Sequence, residues 1–241
     1  MLTDTWWASL MAMATARRAE YSQAEPFPHV VMDGFFPEDF AVQLAEALDT
    51  SKRGVEWHQF RSLQENKKAT RPGRAMRNQQ PCVQEALSAL NDNRMVAFLS
   101  ELASVSGLVA DPLYVGGGVH RIDHGGFLGI HADFNRHPNT RYFRRLNLLV
   151  YLNRDWQEDW GGDLELWDKP MQNCVVRVPP VLNRAVLFST APDSWHGHPE
   201  PVRCPDERSR LSMATYYYSE EPGPQVPQPH STIFKHRPRK G

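Results

Sequence analysis

The sequence predicts a mainly β protein: a jelly-roll barrel with helices packed against its outside. Three observations carry that fold class. From Asp111-Pro112 to about residue 219, short runs rich in β-branched and aromatic residues alternate with turn residues. One run, Arg145-Leu146-Asn147-Leu148-Leu149-Val150-Tyr151-Leu152, is almost continuously apolar, as a strand buried on both faces must be. Before residue 111 the apolar spacing is helical instead.

Taken in order, Thr3 or Thr5 can cap a helix over 3–20, with Trp6, Trp7, Leu10, Met11 and Ala14 at helical spacing. Glu25-Pro26-Phe27-Pro28 breaks it, and His29–Asp33 reads as a short strand. Pro37 opens a second helix through Leu48, with Phe40, Leu44, Ala45 and Leu48 on one face. Residues 51–80 are polar and rich in Lys and Arg, and read as a mobile loop around the turn Arg71-Pro72-Gly73-Arg74. A helix is expected over 83–107, from Leu87, Leu90, Met95, Phe98, Leu99 and Leu102. Strands are expected near 113–122, 127–133, 145–152, 163–167, 174–178, 184–189 and 209–218. Gly161-Gly162, Pro179-Pro180 and Ala191–Ser194 supply turns between them. The expectation is one domain over 1–221, helical over 1–110 and barrel over 111–221. The Pro-rich basic tail, 222–241, is expected to be disordered.

The bulk numbers set limits. A chain of 241 residues, 41% hydrophobic, can bury a sizeable core. A net charge of −1 argues against nucleic-acid or membrane partners recruited by overall charge. Cys82, Cys174 and Cys204 fit neither a disulfide framework nor a zinc ribbon, and read as reduced thiols of a cytoplasmic protein. Met1–Thr5 lacks the basic start of a signal peptide, and the apolar runs fall far short of the roughly 18 residues that span a bilayer.

The chemistry concentrates in His131-Ala132-Asp133, with His196 some way downstream. Residues i and i+2 of a strand point to one side, so His131 and Asp133 can reach the same ion. Two imidazoles and one carboxylate hold one face of iron(II) and leave the opposite face open. Further on, Arg210-Leu211-Ser212 places a guanidinium and a hydroxyl on one strand face, and a planar fork with a permanent charge suits the carboxylate of an acid. Asn147 interrupts the apolar run, and a buried amide must find partners there, either the acid or neighbouring backbone. His198 and Arg208 are the alternatives to His196 and Arg210. The triplet alone is a weak signal; its context is not.

That context is Gly125-Gly126 before the triplet, Gly161-Gly162-Asp163-Leu164-Glu165 midway, and His196-Gly197 followed by Pro201-Val202. With these, residues 112–219 resemble the 2-oxoglutarate/iron(II) oxygenase superfamily, and within it the prolyl-4-hydroxylase-like group. Pro26–Phe40 is similar to the entry region of that group. The resemblance implies a double-stranded β-helix core, with His131, Asp133 and His196 as iron ligands. It implies Arg210, Ser212 and Asn147 at the 2-oxoglutarate, with dioxygen as oxidant and ascorbate as a reductant. Relatives often carry a cosubstrate-binding Tyr before the first ligand; here that stretch is His120-Arg121-Ile122-Asp123, which leaves part of the pocket undefined, and Tyr142, Tyr151 or Arg121 could compensate. With Asp133 present, hydroxylation is favoured over halogenation.

For substrate, a small molecule such as an amino acid or biosynthetic intermediate is expected, with a prolyl residue of a peptide or protein as the alternative. Trp156, Trp160, Trp167 and Trp195 could wall the site or pack the barrel. Arg136, Arg141, Arg144 and Arg145, with Lys67, Lys68, Arg71, Arg74 and Arg77, could receive an anion or simply be solvated. A zinc- or cupin-type metalloenzyme, or a non-catalytic ligand-binding barrel, are the rivals from other classes.

Overall fold

The structure, a computed structural model, describes residues 1–50, 55–222 and 228–237. Its helices are α1 (Asp4–Gln23), α2 (Glu38–Thr50), α3 (Pro81–Leu90) and α4 (Asn93–Ala103). Its strands are β1 (His29–Asp33), β2 (Trp57–Arg61), β3 (Glu65–Thr70), β4 (Val109–Ala110), β5 (Gly118–Ile122), β6 (Phe127–Ala132) and β7 (Phe143–Tyr151). They continue with β8 (Leu164–Trp167), β9 (Cys174–Val178), β10 (Arg184–Ser189), β11 (His196–His198), β12 (Arg210–Ser219) and β13 (Ile233–Phe234). Among the described residues they form one antiparallel sheet in the order β1-β10-β7-β12-β5-β3-β6-β11-β8-β9. It rolls into a nearly closed jelly roll, the expected mainly β barrel with helices outside. β3 bridges β5 and β6 and closes one side.

Alternation along β7 explains the layers. Leu146, Leu148 and Val150 are fully buried on the outer face, in one cluster with Trp6, Leu10, Phe40, Leu44, Leu87, Phe98 and Leu99 of the helices. Burying each such side chain contributes roughly 1.5–3 kcal/mol. Asn147, Leu149 and Tyr151 alternate with them and face the barrel interior, where they line a cavity. The continuous apolar run therefore records two buried faces. β12 runs beside β7, and all ten of its residues are buried.

Three expectations are corrected. The single helix over 83–107 is two: Asn91 closes α3 through its backbone N–H, and the Asp92 carboxylate caps α4 by accepting from Arg94 N at 2.8 Å. Short polar side chains that bond to nearby backbone stop a helix whatever the apolar period. The loop at 51–80 contains the hairpin β2–β3, paired from Trp57↔Thr70 to Arg61↔Asn66. Its strands lack apolar alternation because their polar faces meet solvent and the cavity mouth; residues 51–54 lie outside the described part. The tail, expected to be disordered, contributes β13, which pairs Ile233↔Ala132 and Phe234↔His131. Backbone pairing with an open strand needs no apolar sequence, so composition concealed it. No helix among the described residues is long and apolar enough to cross a membrane, and all three cysteines are free.

Candidate active site

The antiparallel β6–β11 pair sets His131 directly opposite His196, with ring centroids 4.4 Å apart. Asp133 follows two residues on, and its carboxylate oxygens lie 3.6 Å from His131 Nε2 and 3.3 Å from His196 Nε2. One donor atom from each of the three falls within 4.8 Å of the other two. Each ring is held by its far nitrogen: His131 Nδ1 donates to Gly129 O at 2.9 Å and His196 Nδ1 to Ser194 O at 2.8 Å. A carbonyl can only accept, so Nδ1 carries the proton and Nε2 keeps its lone pair toward the carboxylate. Burial and the neighbouring His196 both hold His131 below the usual histidine value, favouring this neutral form. The donor set suits a divalent first-row metal with open coordination positions.

Asp133 is fixed from behind. Asn147 Nδ2 donates to its Oδ2 at 2.7 Å, and Arg144 lies 3.1 Å from the same oxygen. Burial pushes this carboxyl up, but the Arg144 guanidinium beside it outweighs burial and holds it well below the ordinary carboxylate range. Arg144 is itself buried, stacked 3.4 Å from the Tyr216 ring centroid, and its terminal nitrogens have no hydrogen-bond partner. Asn147 Oδ1 accepts from Arg144 Nε at 2.8 Å. Both ends of the amide are thus committed to Asp133 and Arg144, which departs from its expected place against an acid cosubstrate. Arg144 itself looked in the sequence like one charge among four; only its burial distinguishes it.

The three donors share a cavity of about 280 Å³ with Arg210, Ser212 and Tyr151. Arg210 is 4% exposed and lies 4.8 Å from the Tyr151 ring centroid, donating from Nε to Gly162 O at 2.7 Å. Among the described residues no carboxylate forms an ion pair with it, and burial lowers its pKa. Gly162 is required here: a Cβ would come within 2.9 Å of Arg210 Cδ. The Tyr151 hydroxyl is buried without a partner. A lone buried cation beside an orphan hydroxyl is costly unless an anion completes the site. Ser212 stands on the same face, opposite Tyr151 in register.

The same cavity is lined by His198, the sequence's alternative to His196, by Lys67 of the basic set, and by His120, for which the sequence offered no role. His198 has both ring nitrogens buried and unpartnered, and burial followed by Arg210 holds its pKa well below the usual value. It therefore stands beside Arg210 as a neutral ring. A larger cavity, about 470 Å³, meets the donor set only through Asp133 and contains none of His131, His196 or Arg210, so the smaller one is the candidate site.

Other candidates fall elsewhere. Arg208 donates to Arg154 O and sits over Trp160. Arg121 pairs with Asp123 at 2.6 Å, and Tyr142 packs near Tyr216 and Tyr218 outside the cavity; of the three, Tyr151 lines it. Trp156 and Trp160 pack against Ile122 and Val202, and Trp167 and Trp195 against Ile130 and Met171. The basic residues are dispersed: Lys68 pairs with Asp123, Arg71 and Arg74 with Glu56, and Arg145 with Ser219. Of the set, only Lys67 and Arg144 line the cavity.

Fold and site together define a jelly-roll protein with a two-histidine, one-carboxylate cluster and a buried arginine in one cavity. Residues 117–218 match the family model of the 2OG-Fe(II) oxygenase superfamily. Mouse prolyl 3-hydroxylase OGFOD1 is 30% identical over an alignment of 117 residues that covers 41% of this chain; the chain spans 21% of that relative's length. A Trichoplax adhaerens prolyl hydroxylase, solved with a hypoxia inducible factor peptide fragment, has a TM-score of 0.63 at 18% identity, covering 88% of this chain and 92% of the other. The non-heme alpha ketoglutarate dependent epimerase SnoN from nogalamycin biosynthesis has a TM-score of 0.57 at 17% identity, covering 88% and 81%. The two solved structures establish a shared fold.

Proposed function

We propose that this chain is an iron(II)- and 2-oxoglutarate-dependent dioxygenase that hydroxylates an unactivated C–H bond, with His131, Asp133 and His196 as the metal ligands. The single observation that carries the reading is the shared cavity: a metal-ready cluster at one side and an unpaired buried guanidinium at the other. A dicarboxylate spanning that space satisfies both. Its far carboxylate would meet Arg210, with the Tyr151 and Ser212 hydroxyls in reach as further donors. Bound iron supplies the oxygen activation, drawing its electrons from decarboxylation of 2-oxoglutarate to succinate and CO2.

The chain's own residues do the positioning. Arg144 and Asn147 keep Asp133 ionised and aimed; the carbonyls of Gly129 and Ser194 fix the imidazole tautomers. Arg144 Nη1, buried and without a hydrogen-bond partner while Nη2 faces Asp133, offers a hydrogen bond to a carbonyl or carboxylate of the primary substrate next to the metal. A compact small molecule bearing such a group, an amino acid or biosynthetic intermediate, fits this site, in cytoplasm and with ascorbate as reductant. SnoN, an enzyme of nogalamycin biosynthesis, supports that breadth. A prolyl residue in a peptide is the second reading, favoured by the names of OGFOD1 and the Trichoplax enzyme.

Anaerobic titration with iron(II) and 2-oxoglutarate tests the proposal. A weak visible charge-transfer band, followed by oxygen-dependent succinate release, is expected. Iron binding with no band and no succinate would redirect the reading to a zinc- or cupin-type metalloenzyme.

A further inference from the structure

The tail lies where a substrate would. β13 runs antiparallel to β6 with Phe234 opposite His131, its ring centroid 5.5 Å from the imidazole. Exposure alternates along the segment: His230, Thr232 and Phe234 are half-buried while Ser231, Ile233 and Lys235 are exposed. That period of two turns Thr232 and Phe234 toward the barrel, and both line the cavity that holds the metal donors.

Both ends of the segment are fastened. Upstream, Asn135 Nδ2 donates to Gln228 O at 2.9 Å, and its Oδ1 accepts from His230 N at 2.9 Å. Downstream, Lys235 N donates to Ile130 O at 2.8 Å, and the lysine ammonium sits 4.2 Å from the Trp195 ring centroid. Arg237 joins Glu165 at 2.5 Å and also pairs with Glu200. Glu165 is 2% exposed and, among the described residues, otherwise meets the Arg177 guanidinium and the Trp167 indole, so losing Arg237 strips a buried carboxylate of a charge partner. An extended chain that adds to a sheet edge supplies its affinity through backbone bonds and its selectivity through alternate side chains. Here the protein's own tail fills that role.

We infer that residues 228–237 are a fixed wall of the active site, and that Phe234 is a specificity-determining residue that keeps extended peptides off β6 and admits compact substrates. This rests on the oxygenase reading and narrows its substrate class. Phe234 limits the volume over the metal face, and Thr232 offers one hydroxyl beside it. The open strand that a peptide could otherwise join is taken.

Two measurements on the full chain test it. Hydrogen–deuterium exchange reads docking without turnover. Amides of 230–237 should be protected in the wild type, and Arg237→Gln should speed their exchange about tenfold while β7 and β12 stay unchanged. Coil-rate exchange in the wild type, or loss of protection on adding a proline-containing decapeptide, would overturn the wall. Coupled succinate release is then compared for free L-amino acids and for proline-containing decapeptides. Phe234→Ala should shift the ratio of the two substrate sets at least tenfold toward peptides, with the KM for 2-oxoglutarate unchanged and Phe234→Leu intermediate. An unaltered ratio would overturn the selective role. Absence of succinate in every arm, with protection intact, would bring down the oxygenase reading, and the selectivity with it; the exchange data separate that failure from an undocked tail.

Discussion

Asn147 joins Asp133 to Arg144: its amide nitrogen donates to the carboxylate at 2.7 Å, while its oxygen accepts from the guanidinium at 2.8 Å. An amide presents a donor to one neighbour and an acceptor to the other from two separate atoms. It fixes the carboxylate's direction without adding charge.

Replacing Asn147 by Leu should therefore loosen the metal rather than abolish it. Iron(II) affinity is expected to fall about 10–100-fold, the usual cost of removing a partner behind a metal ligand. Equilibrium titration against a competing chelator measures it, and an unchanged constant would count against the role assigned to the amide.

Asp133→Ala should eliminate both metal binding and succinate formation. It also strands Arg144, which is buried and has lost its counter-ion. Leaving such a charge uncompensated destabilises by roughly 3–5 kcal/mol. Asp133→Ala with Arg144→Met should recover much of that stability in chemical denaturation and none of the activity.

Arg210→Lys should retain the charge and lose the fork. Affinity for 2-oxoglutarate is expected to drop by about one to two orders of magnitude, from loss of one charge-assisted hydrogen bond worth about 1.5–3 kcal/mol. Iron binding in the absence of 2-oxoglutarate should not change, and calorimetry of the two separates them.

Asp123 supplies the pH prediction. It accepts from Lys68 at 2.6 Å, from Arg121 at 2.6 Å and from Ser209 at 2.7 Å, tying the β2–β3 hairpin to the barrel. Burial raises its pKa, but these three partners outweigh it and hold the carboxyl at about 2 against an ordinary 3.8. A depressed pKa gives stability that is complete above the unfolded value and is lost as pH falls through the folded one. Because the side chain is a third exposed, the contribution is about 1 kcal/mol after screening. Asp123→Asn should destabilise the chain by about that much at pH 7, and the difference should fade between pH 3.8 and about 2. A gap that persists at the acid end would assign the effect to packing.

Chelation gives the fifth test. Iron at 100 times its dissociation constant stabilises by about 2.7 kcal/mol, which for a domain of this size is roughly 5–10 °C in Tm. The Asp133→Ala chain should show no such shift.

Much of this was legible in the residues. The apolar run over 145–152 declared β7, and the His-x-Asp spacing declared one side of a strand, because both follow from period two and burial. The pairing of His131 with His196 was not legible, since β11 has only three residues and too little pattern to announce itself. Nor was the importance of Arg144: four arginines in a short stretch look alike until one of them is buried against Asp133. The β2–β3 hairpin and β13 escaped for the same reason. β3 and β13 are held by backbone bonds to neighbours far along the chain, β2 by its pairing with β3, and polar sequence does not display such bonds.

Gly197 sits between two inward-facing histidines, where a Cβ would come within 2.6 Å of Gly129 O and 2.8 Å of Leu128 O. The two ribbons bearing the imidazoles touch main chain to main chain at this point, so even alanine would wedge them apart and spread the His131–His196 grip. The glycine after the second histidine thus reports clearance between ribbons and takes no part in chemistry. Kindred catalysts whose ribbons stand slightly farther apart are free to carry a larger residue there, and a search that insists on glycine will miss them.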